Sequence, residues 1–335
     1  MTVKVALVAW EAQPKPPDVA EKVRALGVEF VEQDCASTRE AVALAADAEI
    51  VWVMGGWKGI TAEALPELHR CGAIIRSGSG TDNIPVAAAT ERNILVCNTP
   101  EGPALGVAEH TVALLLAVTR EITKWDRIVR DGGWVPGHDR PRFVLSGKTL
   151  GLIGFGVIAR NVAKRLKAFN LRIIAHDPGV AAEVFAAHEV AAVSLDQLYG
   201  EADFISVHCP LLPSTQNLIG AAALEKMKPT AILINTARGG IVDSAALARA
   251  LDEGRIAGAG LAVLDREPPP ADHPLLHARN VTLTAHVAGY HDRMFDDFWR
   301  LSIETVADLA RGRYPASVVN PRVKPRWPLA PRGGA

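Results

Sequence analysis

Short β-branched runs alternate with Ala/Leu-rich amphipathic stretches almost from end to end of this 335-residue chain, and that alternation leaves few folds open. Residues 3–9, 50–54, 73–76 and 94–97 read as buried strands, with 18–26, 38–46, 61–69 and 86–92 as the helices between them. Near-continuous apolar strands separated by helices demand a parallel sheet covered on both faces, because a strand with one wet face alternates in polarity. A second series follows, with strands at 150–153, 172–176, 204–208, 232–235, 259–263 and 281–284. Its helices include 161–169 and 244–253, the latter opened by Asp243 and Ser244 as cap candidates. A chain of this length is expected to hold two domains.

Between the two series, residues 103–130 read as one long helix, entered through Pro100 and Pro103 and stopped by Asp131-Gly132-Gly133. Residues 134–145 read as a loop carrying Pro136, Gly137 and Pro141, and the proline-rich tail after Asn320 is expected to be poorly ordered. The net charge of -1, with no basic or acidic block, gives no footing for nucleic acid or a polybasic membrane contact. Cys35, Cys71, Cys97 and Cys209 are scattered, with neither a C-x-x-C pair nor a histidine cluster at metal-ligand spacing, so no metal is expected. That usage fits a reducing compartment. The N-terminus lacks a signal-peptide pattern, and the longest apolar stretch, 112–118, is too short to span a bilayer. A cytoplasmic location is the expectation.

The segment from Lys148 to Ala163 is strand, glycine turn, helix, and within it Gly154-Phe155-Gly156-Val157-Ile158-Ala159 has the form G-x-G-x-x-A. The first glycine makes the turn, the second admits a pyrophosphate to the backbone, and the small third residue lets helix pack on strand. The helix N-terminus then offers free N–H groups and its positive dipole end. Alone the pattern is weak. Here a further strand ends at Asp177, about 20 residues on, where an acidic side chain meets ribose hydroxyls. Asp177 also repels a 2′-phosphate, which favours NAD over NADP.

Three later segments carry candidate chemistry: Asn235-Thr236-Ala237-Arg238-Gly239, Asp265-Arg266-Glu267-Pro268 and His286-Val287-Ala288-Gly289. Strand C-termini in such sheets converge on the ligand crevice. An Arg binds a carboxylate through its planar fork, and a His donates the proton a new alkoxide needs. A carboxylate behind the imidazole fixes its tautomer and favours the imidazolium. Taken singly, each has an ordinary reading: a loop charge for Arg238, a solvated turn residue for Glu267, a half-buried histidine for His286.

Together the motifs closely resemble the D-isomer-specific 2-hydroxyacid dehydrogenase family along nearly the whole chain. The matching segments run from Arg76-Ser-Gly78-Ser79-Gly80-Thr81-Asp82-Asn83 and Asn98-Thr99-Pro100-Glu101 through Val107-Ala108-Glu109-His110 and the glycine turn. They continue through His208-Cys209-Pro210-Leu211 and the three segments above. The resemblance implies that Arg238, Glu267 and His286 are the catalytic set. It also places Gly154, Phe155, Gly156, Val157, Ile158, Asp177, His208, Cys209, Pro210, Thr215, Thr236, Ala237, Arg238, His286 and Gly289 along bound NAD. Ser79, Gly80, Trp57, Arg238 and His286 are implied on the substrate side, with the amides of the Ser77–Gly80 loop forming an anion concavity.

By the same resemblance the fold is two doubly wound parallel-sheet domains. A flavodoxin-like substrate domain would comprise 1–99 and 290–335, and a Rossmann NAD-binding domain 100–289. The cleft between them would be the active site, closed by hinge motion, and a homodimer is implied, with the segment after Asn98 in its interface. The expected reaction moves a hydride between nicotinamide and a small 2-oxo or D-2-hydroxy acid of the glyoxylate or hydroxypyruvate kind. Trp57 and Lys58 follow a substrate-domain strand, and Lys58 there would favour a polar or anionic substrate tail.

One departure stands out. The family usually carries Asp where this chain has Ala262, near the nicotinamide carboxamide, and Asp265 is not an assured substitute. Ala262 is the one encouragement for an alternative, a non-enzymatic NAD(H)-responsive binding protein on the same scaffold.

Overall fold

The computed structural model describes residues 2–10, 14–134 and 143–331, so most of the 134–145 loop lies outside the described residues. The chain divides into two compact units, Met1–Pro103 with His291–Ala335, and Ala104–Tyr290.

The first unit is built on strands β1 (Lys4–Ala9), β2 (Glu29–Glu32), β3 (Ile50–Met54), β4 (Ala73–Ser77) and β5 (Leu95–Asn98). All are parallel, in the order β2-β1-β3-β4-β5. This is the flavodoxin-like doubly wound order. Helices α1 (Val19–Arg24), α2 (Thr38–Ala45) and α3 (Val86–Glu91) connect the strands. The C-terminal helix, Met294–Ala310, returns to this sheet with Met294, Phe298, Trp299, Ser302, Val306 and Leu309 buried on one face. A buried polar relay fixes it: the Trp52 indole N–H donates to Ser77 Oγ at 2.8 Å, and Ser77 Oγ lies 2.7 Å from Ser302 Oγ.

The second unit begins with α4 (Glu101–Thr119, shared at its first turn with the first unit) and α5 (Ile122–Arg130). Its strands are β6 (Thr149–Ile153), β7 (Arg172–His176), β8 (Ala191–Ala192), β9 (Phe204–Val207), β10 (Ile232–Asn235), β11 (Gly258–Leu261) and β12 (Val281–Leu283). Their order, β12-β11-β10-β9-β6-β7-β8, is the Rossmann arrangement extended by one strand, again wholly parallel. The sheet is covered by α6 (Val157–Leu166), α7 (Ala182–Ala187), α8 (Leu195–Glu201), α9 (Ala221–Lys226), α10 (Ser244–Asp252) and α11 (Pro274–His277).

Four expectations need correction. Residues 61–69 are not an α-helix but turns around a 3-10 segment, Leu65–Glu67, because Pro66 lacks the N–H an interior helical turn requires. The single helix over 103–130 is broken at Glu121, which is left-handed at φ 54°. Just before the break, the Thr119 hydroxyl bonds back to Leu115 O at 2.6 Å, a local competitor to the helical ladder. The tail after Asn320 is packed rather than loose. Asn320 accepts from Val96 N at 2.8 Å and donates to Ile94 O at 3.0 Å, and a Cβ on Gly72 would meet the Trp327 ring. Finally, α4 as a whole is long and apolar enough to cross a membrane by length and composition alone. Its Ala108, Leu114 and Leu115 are instead buried in the second unit's core.

Candidate active site

In the second sheet, Ile153 pairs with His176 on one side and Val207 on the other. Gly154, Asp177 and His208 therefore leave three neighbouring strand ends at one level, where the strand order reverses. This is the topological switch point at which doubly wound sheets take ligands. Gly154 sits at φ +89°, and a Cβ there would lie 2.7 Å from Cys209 N and 2.8 Å from the His208 carbonyl carbon. Only glycine fits this turn without displacing main-chain atoms. Gly156, by contrast, is exposed, and a Cβ on it would find no atom within 4 Å. That open space lies over the first turn of α6, whose leading N–H groups have no carbonyl partner within the helix.

Asp177 Oδ2 accepts from Phe155 N at 2.8 Å and Oδ1 from Gly179 N at 2.9 Å. Each oxygen keeps a further acceptor position. The Phe155 ring is fully buried and stacked on Phe185, centroids 4.9 Å apart, so the ring belongs to the core. Val157 and Ile158 are half-buried, and Ala159 is packed away, as a small residue between helix and strand must be. Burial pushes the His208 imidazole down to about 3, so it is neutral beside Ser206 Oγ at 2.9 Å. Burial likewise pushes the Cys209 thiol up to about 11. The Thr215 hydroxyl accepts from Leu212 N at 2.7 Å and donates to Pro210 O at 2.6 Å, tying that loop into a turn. A glycine turn, an open helix N-terminus and a strand-end carboxylate fit a dinucleotide.

Pairing of Asn235 with Val207 and Leu261, and of Leu261 with Leu283, sets the ends of β9, β10, β11 and β12 level. Arg238 leaves β10 three residues later and is half-buried. Its loop is held by Asn235, a buried side chain that donates to Arg238 O at 2.9 Å and accepts from Ala237 N at 3.0 Å. Gly239 lies so close to the next strand's exit that a Cβ would fall 1.9 Å from the Leu264 carbonyl carbon. Thr236 is buried, 2.9 Å from Thr111 Oγ. Glu267 Oε1 accepts from Leu264 N at 2.9 Å, and Oε2 lies 2.6 Å from His286 Nδ1. His286 is half exposed and left-handed at φ 55°, its N–H donating to Ala262 O at 2.8 Å. An imidazole held this way presents Nε2 for proton exchange.

The structure thus brings Glu267 and His286 together and packs the Arg238 loop on the segment that carries Glu267. Ala262 is fully buried in the apolar core, and its N–H donates to Asn235 O at 2.9 Å. Asp265 is engaged elsewhere: Oδ1 accepts from Ser244 Oγ and from His273 Nε2 at 3.0 Å. The sequence marks Ser244 only as a helix cap and Asn235 only as part of a motif, and it gives no sign of His273. A buried amide at a strand end is the signal that could have marked Asn235.

In the first unit, Gly78 turns at φ +114°, its N–H donating to Thr99 Oγ1 at 2.7 Å, and Asn98 Nδ2 donates to Ser79 O at 2.7 Å. Ser79 and Gly80 are partly buried in that turn. Asn83 Nδ2 holds Trp57 O at 2.8 Å, while the Trp57 ring folds back over Gly59 against the core. Lys58 is exposed.

The profile described as D-isomer specific 2-hydroxyacid dehydrogenase, NAD binding domain, matches residues 112–288. The chain is 37% identical over 318 residues to a D-3-phosphoglycerate dehydrogenase of Archaeoglobus fulgidus, covering 94% of this chain and 59% of that protein. It is 41% identical over 267 residues to a glyoxylate reductase of Korarchaeum cryptofilum, covering 78% of this chain and 79% of that protein. Among solved structures, a glyoxylate reductase from Paecilomyes thermophila superposes with a TM-score of 0.84 at 26% identity, covering 96% of this chain and 99% of that one. The chain belongs to the D-isomer specific 2-hydroxyacid dehydrogenase family and carries its NAD-binding domain. It spans little more than half the length of the phosphoglycerate dehydrogenases it matches.

Proposed function

We propose that this chain is an NAD(H)-dependent oxidoreductase acting on a small 2-oxo acid and its D-2-hydroxy counterpart, of the glyoxylate or hydroxypyruvate kind. The observation that carries the reading is the 2.6 Å contact between Glu267 and His286, beside a segment on which the Arg238 loop is seated through Gly239. Gly154, Gly156 and the first turn of α6 would hold the pyrophosphate, and Asp177 the adenosine ribose. Thr236 and Ala237 line the same strand-end level. Bound NAD supplies the hydride donor and acceptor.

The chain's own residues supply the rest. Arg238 binds the substrate carboxylate and polarises the neighbouring carbonyl. His286, oriented by Glu267 through Nδ1, exchanges a proton with the substrate oxygen at Nε2. In the first unit, the Ser79–Gly80 turn is proposed as a cradle for a carboxylate. Trp57, turned back on its own loop, is a weaker candidate for substrate contact than its position after β3 suggested. The alternative, a non-enzymatic NAD(H)-responsive protein, has little to favour it, since Glu267 and His286 are paired and oriented. Steady-state loss of NADH absorbance against a panel of oxo acids tests the reading. Turnover of the smallest acids is expected, and no His286-dependent NADH oxidation with any of them would sink it.

The proposal includes a homodimer. Helix α5 buries none of its residues, and Ile122, Val129, Trp134 and Val144 are exposed at 56%, 48%, 84% and 75%. Exposed apolar side chains along this stretch support a partner surface there. Light scattering is expected to give twice the chain mass of 35.7 kDa, and a monomer at micromolar concentration would count against it.

A further inference from the structure

Two loops of the candidate site meet on one short segment, residues 264–267. On one side Gly239 approaches so closely that a Cβ would lie 1.9 Å from the Leu264 carbonyl carbon and 2.2 Å from Asp265 N, which seats the Arg238 loop. On the other side Leu264 N donates to Glu267 Oε1 at 2.9 Å, which aims Oε2 at His286. Whatever fixes this segment fixes all three groups.

The segment is held through Asp265. Its Oδ1 accepts from Ser244 Oγ and from His273 Nε2 at 3.0 Å. Ser244 opens α10, and His273 caps α11, its Nδ1 accepting from Leu275 N at 3.3 Å. One neutral tautomer, with the proton on Nε2, satisfies both ring nitrogens of this buried histidine, which is 5% exposed. The two helices are themselves anchored by Leu247, Leu251 and Leu275 in the apolar core. The carboxylate therefore ties a surface loop to two fixed points.

We infer that Asp265, clamped by Ser244 and His273, is a positioning residue that holds residues 264–267 so that Glu267 meets His286 and the Arg238 loop keeps its place. This rests on the proposed oxidoreductase reading for its kinetic test but not for its spectroscopic one. Burial raises the Asp265 carboxyl, but the hydrogen bonds from Ser244 and His273 outweigh it, leaving a net lowering, as an engaged anion requires.

The test compares Asp265→Ala, Asp265→Asn and Ser244→Ala with the wild type. A loop displacement on the order of 1 Å costs roughly 100-fold in rate. Asp265→Ala is accordingly expected to lower kcat by about 10- to 100-fold and to raise KM for the oxo acid as the Arg238 loop shifts, with the NADH Kd from fluorescence changed by no more than about twofold. Asp265→Asn, which keeps an acceptor oxygen for both donors, recovers most of that loss. Ser244→Ala, which removes one donor of two, gives a smaller loss in the same direction. In apo protein, the 15N shifts of the His286 ring are expected to report an Nδ1-protonated tautomer in the wild type and a tautomer mixture in Asp265→Ala. The inference is overturned if Asp265→Ala keeps wild-type kcat and His286 shifts, if Asp265→Asn is as impaired as Ala, or if the kcat loss is matched by an equal loss of NADH affinity. Should the wild type turn over no oxo acid, the functional reading fails, and the ring shifts alone decide this one.

Discussion

His286→Asn is expected to lower kcat by about 10²- to 10⁴-fold, the range for removing a positioned general acid, while NADH affinity and melting temperature stay near wild type. Asn is the informative replacement because residue 286 sits at φ 55°, and Asn is among the few non-glycine residues that adopt the left-handed region readily. Ala or a β-branched residue would confound lost chemistry with backbone strain. The Ala262 carbonyl keeps its bond from the residue 286 N–H, since that donor is main chain. Glu267→Gln is expected to cost less, because an amide oxygen can still accept from Nδ1–H. The double variant should be no worse than His286→Asn alone, as groups acting as a unit are not additive. Single-turnover measurement separates the chemical step from binding. A His286→Asn enzyme within about tenfold of wild-type kcat would remove His286 from the proton path.

How much of this was legible beforehand follows from how local each signal is. Gly154, Gly156 and Asp177 were legible because strand, turn and helix are contiguous, and covalent spacing alone brings the next strand's end alongside. The register of Ile153 with His176 does the rest. The pairing of Glu267 with His286 is longer in range, but both follow strands of one parallel sheet, so chain order predicts their convergence. What stayed hidden depends on packing between elements. The clamp on Asp265 joins residues 244, 265 and 273 from three elements, and locally each looks like a cap or a solvated loop charge. The helix break at Glu121 follows Arg120, with no glycine or proline to announce it. Strand β8 is two residues, Ala191–Ala192, too short and too small to carry a periodicity. The order of the tail is not legible in the sequence, because proline content marks irregular structure, not loose structure, and Trp327 and Asn320 find partners that only the folded first unit supplies.

The two fingerprint glycines offer the second large effect, and they are expected to fail in different ways. At Gly154 an added methyl meets main-chain atoms of His208 and Cys209 at 2.7–2.9 Å and must adopt φ +89°. Left-handed backbone costs an L-residue about 1–2 kcal/mol, and a clash with backbone has no side chain to rotate away. The ends of β6 and β9 must part for Gly154→Ala to fold, and that spreads the switch point itself. The expected result is a melting temperature lowered by several degrees, on the scale of about 2–4 °C per kcal/mol for a unit of this size, together with NADH binding lost by two orders of magnitude or more. At Gly156 the same methyl enters open space, with nothing within 4 Å. Gly156→Ala should therefore melt with the wild type. Its cost falls wholly on the ligand, because the methyl stands where a diphosphate would approach the α6 N–H groups. Titration of NADH fluorescence alongside a thermal melt separates the two. If Gly156→Ala bound NADH as the wild type does, the pyrophosphate could not lie over that helix start, and the coenzyme site would have to be sought elsewhere on the sheet.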